Sequence, residues 1–131
     1  MLISLDLQAD IPIYVQLRAQ IIEGIATGQL KPGDALPSVR QLAEDIGINM
    51  HTVNKTYNIL KQDGFLLVHR QKGVVVNPDM LPRVTKEYVQ QIHNDLRPMI
   101  VEAYCRGMTK KEFTQMCKDI FEDLKKGEAK S

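Results

Sequence analysis

Leu36-Pro37-Ser38-Val39-Arg40-Gln41-Leu42-Ala43-Glu44-Asp45-Ile46-Gly47-Ile48-Asn49-Met50-His51-Thr52-Val53 is the stretch on which the fold turns. Ser38 with Gln41 three residues on is a capping-box pattern, and Leu42, Ala43 and Ile46 follow on one helical face. Gly47 closes this short helix. Asn49 comes at once afterwards and is a residue type that caps the next helix, which runs to about Asp63-Gly64. The gap between the two helices is only three or four residues. That leaves room for a tight, glycine-containing turn, the spacing of a helix-turn-helix, and fixes the pair at a steep angle.

Upstream, Asp10 precedes Ile11-Pro12, and proline suits a first helical turn because its missing N–H would find no partner there. Tyr14, Leu17, Ile21 and Ile25 then recur at helical spacing until Gly28, and Leu30-Lys31-Pro32-Gly33-Asp34 reads as a turn. Downstream of Gly64 the period changes. Phe65-Leu66-Leu67-Val68-His69 and Val74-Val75-Val76, separated by Arg70-Gln71-Lys72-Gly73, predict a β-hairpin with a basic tip. Asn77-Pro78-Asp79 then breaks the chain, giving one domain over residues 1–78 and a helical tail over 79–131. There is no internal repeat and no low-complexity tract.

The tail reads as two helices. The first, from about Pro82 to Arg106, carries Val84, Tyr88, Ile92, Leu96, Ile100, Ala103 and Tyr104, with a kink expected at Pro98. Thr109-Lys110-Lys111-Glu112 is a second capping box. It opens a helix with Phe113, Met116, Cys117, Ile120, Phe121 and Leu124 on one stripe. A two-helix hairpin of about 45 residues is too small to hold its own core. The economical partner is the same hairpin of a second subunit, joined through Tyr88, Ile92, Leu96, Ile100, Phe113, Met116, Ile120, Phe121 and Leu124. The fold class is therefore mainly α with a small β-hairpin, a winged helix-turn-helix followed by a two-helix dimerisation hairpin.

Composition narrows the function classes. The 131 residues hold 44% apolar and 25% charged side chains, ordinary for a folded globular chain, and aromatics at 5% leave aliphatic residues to supply most of the core. No apolar run approaches the ~20 residues of a membrane span, and Met1-Leu2-Ile3-Ser4-Leu5-Asp6 lacks a basic segment followed by an apolar one. The expected location is cytoplasmic, with no membrane partner. Cys105 and Cys117 fit no metal-ligand spacing and are expected as reduced thiols, buried or half-buried; a disulfide or metal pair is the lesser alternative. No nucleophile elbow, phosphate-cradling glycine loop or zinc-protease helix is present, and His51, His69 and His93 fall in three separate elements. The sequence thus points away from an enzyme, with no cofactor and no metal expected.

The third helix carries the positive signal. Val53, Tyr57 and Leu60 are spaced to pack inward, while His51, Thr52, Asn54, Lys55, Asn58 and Lys61 occupy the remaining surface. Any amphipathic helix shows a polar face, but these residue types suit a major groove. Asn pairs with adenine, Lys reaches guanine acceptors, Thr methyls touch thymine, and no carboxylate intervenes before Asp63. Arg70 and Lys72 flank Gln71 at the hairpin tip, and Gly73 supplies the backbone freedom a close approach needs. The formal net charge of +1, from 17 basic and 16 acidic residues, looks unfavourable for a polyanion partner. Its distribution is not: from Asn49 to Val76, four basic residues, Lys55, Lys61, Arg70 and Lys72, face one acid, Asp63. The competing reading is a protein-interaction or RNA-binding module without operator specificity.

The run Tyr14-x-Gln16-Leu17, Gly28-x-Leu30-x-Pro32-Gly33-Asp34-x-Leu36-Pro37-Ser38-x-Arg40-x-Leu42-Ala43, Gly47-Ile48-Asn49, Thr52-Val53, Tyr57-x-x-Leu60 and Gly64-Phe65 closely resembles the DNA-binding domain of GntR-type bacterial transcription regulators. The resemblance spans roughly residues 11–76. It implies DNA contacts from Ser38, Arg40, Asn49, His51, Thr52, Asn54 and Lys55, and from Arg70, Gln71, Lys72 and Gly73 in the wing. Two positions depart from the family pattern: Gln71 stands where the wing usually has its first glycine, and His51 replaces a basic residue early in the third helix. The 53-residue tail resembles that of the YtrA-type branch. That branch implies a homodimeric repressor of the operon containing its own gene, often one encoding an ABC transporter, acting on a palindromic double-stranded operator. A small-molecule effector, unidentified from sequence, would then act at the dimer interface.

Overall fold

The computed structural model describes residues 3–130. Its order is α1 (Ile13–Ala26), α2 (Val39–Ile46), α3 (Met50–Asp63), β1 (Leu66–His69), β2 (Gly73–Val76), α4 (Lys86–Cys105) and α5 (Lys110–Lys130). The chain separates into two compact units that divide between Pro82 and Arg83, the second extending to Lys126.

In the first unit α3 is the central element, packed against α1, α2 and β1. Leu17 and Ile21 of α1, Leu42 and Ala43 of α2, Val53, Tyr57 and Leu60 of α3, and Leu66 and Val76 of the hairpin form one buried cluster, closed by Leu30 and Leu36 from the α1–α2 connection. Full burial of each large aliphatic side chain contributes about 1.5–3 kcal/mol. The ends of the helices are set by local chemistry. Ser38 Oγ accepts the Gln41 N–H at 3.1 Å, the expected half of the capping box. The reciprocal arm is absent, because the Gln41 side chain donates instead to Asp45 Oδ1 at 2.7 Å. Asn49 Oδ1 caps α3 by accepting the His51 N–H at 2.7 Å. Between them Gly47 adopts φ 69°, the left-handed conformation that lets α2 stop and α3 start at once.

β1 and β2 pair antiparallel in the register Leu66↔Val76, Leu67↔Val75, Val68↔Val74, His69↔Gly73. The sequence pattern does not show the third element of this sheet. Ala35 bridges Val75, Leu36 N–H donates to Val74 O at 2.8 Å, and Val76 N–H to Asp34 O at 2.9 Å. The connection before α2 thus covers the outer edge of β2, where unpaired backbone groups would otherwise lie. Upstream, Pro12 is the N-cap of α1 rather than part of its first turn, with ψ 144°. Residues 4–6 run along α1, where Ser4 and Asp6 N–H groups donate to the side-chain carbonyls of Gln20 and Gln16.

The second unit is the α4–α5 hairpin. α4 begins at Lys86, later than the sequence suggests, because Thr85 Oγ1 accepts the Tyr88 N–H and fixes the start there. The helix is continuous across Pro98. Ahead of α5 the capping box is complete: Thr109 Oγ1 accepts the Glu112 N–H at 3.1 Å, and Glu112 Oε1 accepts the Thr109 N–H at 3.0 Å. The Thr109 N–H and the Thr109 hydroxyl, both donating to Glu112 Oε1, favour the ionised carboxyl and hold Glu112 below the usual carboxylate range. No residue of α4 is buried. Cys105 and Cys117 are free and exposed, not buried or half-buried as expected, because α4 buries none of its residues and Cys117 lies on an α5 stripe whose Ile120 and Phe121 are exposed as well.

Candidate nucleic-acid interface

The inner face of α3 is anchored on Val53, Thr56, Tyr57 and Leu60. Thr56 is buried without cost, since its hydroxyl donates to Thr52 O at 2.9 Å. Tyr57 is 1% exposed, and its hydroxyl donates to Pro37 O at 2.7 Å, tying α3 to the residue just before the α2 cap. Burial pushes the Tyr57 phenol far above its usual range, so it stays a donor. This bond, the α2–α3 contact and the left-handed Gly47 together fix the angle between the two helices.

Opposite that anchor, His51, Asn54, Lys55 and Asn58 are exposed, and Thr52 and Lys61 are half-buried. Ser38 and Arg40 are exposed at the start of α2. Arg40 and Met50, the first residue of α3, line one open cleft together with Ala43, Glu44, Gly47 and Ile48. Asn49 spends its Oδ1 on the cap, which leaves its amide N–H groups for any further contact. Arg70, Gln71, Lys72 and Gly73 are all exposed at the hairpin tip.

Three residues shape this surface that the sequence did not single out for it. Tyr14 of α1 lies under Lys55, whose Nζ is 3.8 Å from the ring centroid. This cation–π contact draws the ammonium toward α1 and limits the directions it samples. Arg18, also on α1, pairs with Asp63 at 2.8 Å, so the one acid between Asn49 and Val76 is neutralised by a residue from outside that segment. His69, at the end of β1, accepts the backbone N–H of Gln71 and of Lys72 on Nδ1, both at 3.1 Å. Helical spacing signals that Tyr14 is semi-buried but not what it meets, and nothing local in the sequence reports the other two contacts.

The residues expected at a dimer contact lie on α4 and α5. Tyr88, Ile92, Ile100, Met116, Ile120 and Phe121 are exposed, Phe121 by 68%, whereas Leu96, Phe113 and Leu124 are half-buried. Among the described residues there is no cluster of three or more His, Cys, Asp or Glu able to hold a metal, and no helix is long and apolar enough to cross a membrane.

The signature described as "Bacterial regulatory proteins, gntR family" matches residues 13–76. The HTH-type transcriptional repressor YtrA of Bacillus subtilis (strain 168) is 32% identical over 126 residues, covering 96% of this chain and 97% of its own. YtrA from Sulfolobus acidocaldarius, a GntR-family transcription factor of known structure, is 40% identical with a TM-score of 0.55, over 94% of this chain and 99% of its own. A transcriptional antiterminator from Listeria monocytogenes EGD-e superposes with a TM-score of 0.85 over 95% of this chain and 92% of its own. At 22% identity it speaks for the fold alone. A helix-turn-helix with a capped third helix and a following basic hairpin, together with these similarities, makes the chain a DNA-binding transcription regulator of the gntR family.

Proposed function

We propose that the protein is a homodimeric repressor in which residues 1–78 bind a palindromic operator and residues 79–131 dimerise. The observation that carries the DNA half is α3. Its inner face is buried, its outer face offers His51, Thr52, Asn54 and Lys55, and its terminal acid is neutralised by Arg18. His51, Thr52 and Asn54 are the base-reading residues, with Asn49 beside them. Ser38, Arg40, Lys55, Arg70 and Lys72 hold the phosphates, and Gln71 and Gly73 complete the wing contact. The dimer half is supported by α4, which has no buried residue, and by the exposed Ile120 and Phe121 of α5. Two-fold symmetry places the half-sites about one helical turn apart or a multiple of it. The similarity to a transcriptional repressor, YtrA, supports repression; the operon that contains the gene, with an ABC transporter among its products, is the target this reading assigns. This reading places the protein in the cytoplasm.

Fluorescence anisotropy tests the proposal. DNA upstream of the gene, cut to a palindromic duplex, is compared with a scrambled duplex of the same length. Tighter binding of the palindrome by ten-fold or more, at one dimer per duplex, is the expected result. Equal affinity for the two duplexes, or preference for RNA, would sink the operator reading in favour of an interaction or RNA-binding module.

A further inference from the structure

We infer that His69 is a positioning residue for the wing: its imidazole Nδ1 closes the turn that presents Arg70 and Lys72 to DNA. The inference rests on the wing contact proposed above and adds the device that shapes it.

The turn is short. β1 and β2 have four residues each, and Arg70-Gln71-Lys72 join His69 to its register partner Gly73, which takes φ 81°. Three-residue hairpin loops of this kind end on a left-handed residue, which Gly73 supplies without a Cβ penalty. Beyond the Gly73 pairing no cross-strand partner exists for the tip, so its backbone N–H groups need another acceptor or water. His69 provides it, with Gln71 N and Lys72 N both 3.1 Å from Nδ1. Nδ1 is bonded to Cγ, as the Oδ1 of asparagine is. The pattern, one side-chain acceptor serving the N–H groups two and three residues on, is that of an Asx turn built with an imidazole. It requires the lone pair on Nδ1 and therefore the ring proton on Nε2. Arg70, Gln71 and Lys72 are exposed, so the order of the tip relative to the sheet leans on this acceptor. Ordering them before binding lowers the entropy lost when they engage phosphate.

The consequence separates from a general structural role through two substitutions that exchange ring for acceptor. His69→Phe keeps an aromatic ring and removes the acceptor, whereas His69→Asn removes the ring and keeps an acceptor at the same bond position. A third variant, Arg70→Ala with Lys72→Ala, removes the basic side chains that the turn presents. All are made in the full chain. Each is titrated by anisotropy against a fluorescein-labelled duplex that the wild-type protein has selected from a random-sequence pool, over a series of salt concentrations. Amide exchange of Gln71 and Lys72 is read by NMR in the free protein.

The expected result has four parts. His69→Phe binds about three- to ten-fold more weakly, the factor that one neutral hydrogen bond supplies. His69→Asn stays within two-fold of wild type. Gln71 and Lys72 amides exchange faster in the Phe variant and not in the Asn variant. Adding His69→Phe to the Arg70→Ala/Lys72→Ala background costs less than it does in wild type, since the turn then presents no basic side chain. If the basic-tip variant binds and responds to salt like wild type, the wing contact is wrong and the inference falls with it. If the basic-tip variant is weakened but His69→Phe is not, if Asn fails to rescue, or if the losses add on the double background, the wing contact stands and the role of His69 is refuted.

Discussion

Replacing Tyr57 by Phe removes one oxygen from the centre of the helix-turn-helix, and the structure fixes what that should cost. The hydroxyl donates to Pro37 O at 2.7 Å from a side chain that is 1% exposed. Losing a neutral bond costs about 0.5–1.5 kcal/mol, and the half-buried Pro37 carbonyl left without its donor adds part of the ~1–3 kcal/mol desolvation penalty. A total of about 1–2 kcal/mol follows, with a Tm lower by about 4–8 °C for each kcal/mol in a unit of this size. The ring remains, so no cavity forms. A second signature comes from pH. Burial raises the Tyr57 pKa above its ordinary value of about 10, so above that pH the unfolded chain releases a proton the folded one retains. Stability conferred by the neutral phenol is complete below about pH 10 and declines above it, by about 1.4 kcal/mol per pH unit until the folded group itself ionises. Urea unfolding followed by circular dichroism, at fixed protein concentration and at pH values on both sides of 10, measures both effects. Wild type should be the more stable at neutral pH and should lose its advantage over Tyr57→Phe as pH rises past 10. Equal stability at neutral pH, with parallel curves above pH 10, would show that the hydroxyl is not bonded as described.

Ile120→Asp with Phe121→Asp should give monomers in sedimentation and weaken operator binding by ten-fold or more; a dimer that survives the double substitution would remove these residues from the interface. Lys72→Ala should lower the log–log salt slope of operator binding by about one, and an unchanged slope would mean that it neutralises no phosphate. Ser38→Ala deletes the acceptor at the N-cap of α2, so thermal unfolding should report a loss of about 1 kcal/mol.

The architecture was legible because its signals are local. Ser38, Gly47, Asn49, Thr109 and Glu112 mark helix ends with their own side chains or backbone, and the structure finds each at that task. The inward positions Leu17, Ile21, Val53, Tyr57 and Leu60 follow from a period of 3.6. What the sequence hid depends on contacts between distant segments. Ala35 joins the sheet only because β2 comes back to it, and Asp34-Ala35-Leu36 is too short to show a strand period. Arg18 meets Asp63 across 45 positions, so a charge count confined to Asn49–Val76 overstated the influence of that acid. Cys105 and Cys117 are expected as buried or half-buried thiols from the habit of reduced cysteine, but a residue type does not report whether the element that carries it has a cover. His69 is the subtlest case: its role appears only once the turn length is known.

The α4–α5 hairpin, with its exposed Ile120 and Phe121, has a consequence for how much regulator a cell needs. If the apolar stripe is covered by a second copy, completing the tail and assembling the dimer are one equilibrium, and the stability of the tail depends on protomer concentration. Each halving of concentration then releases monomers whose tails lack a core and whose two DNA-reading units are no longer linked. Unlinking forfeits the effective-concentration gain of the second half-site. Occupancy of a two-fold operator would rise more steeply than in proportion to the amount of protein, so a repressor that governs its own operon would hold its level near a threshold without any ligand.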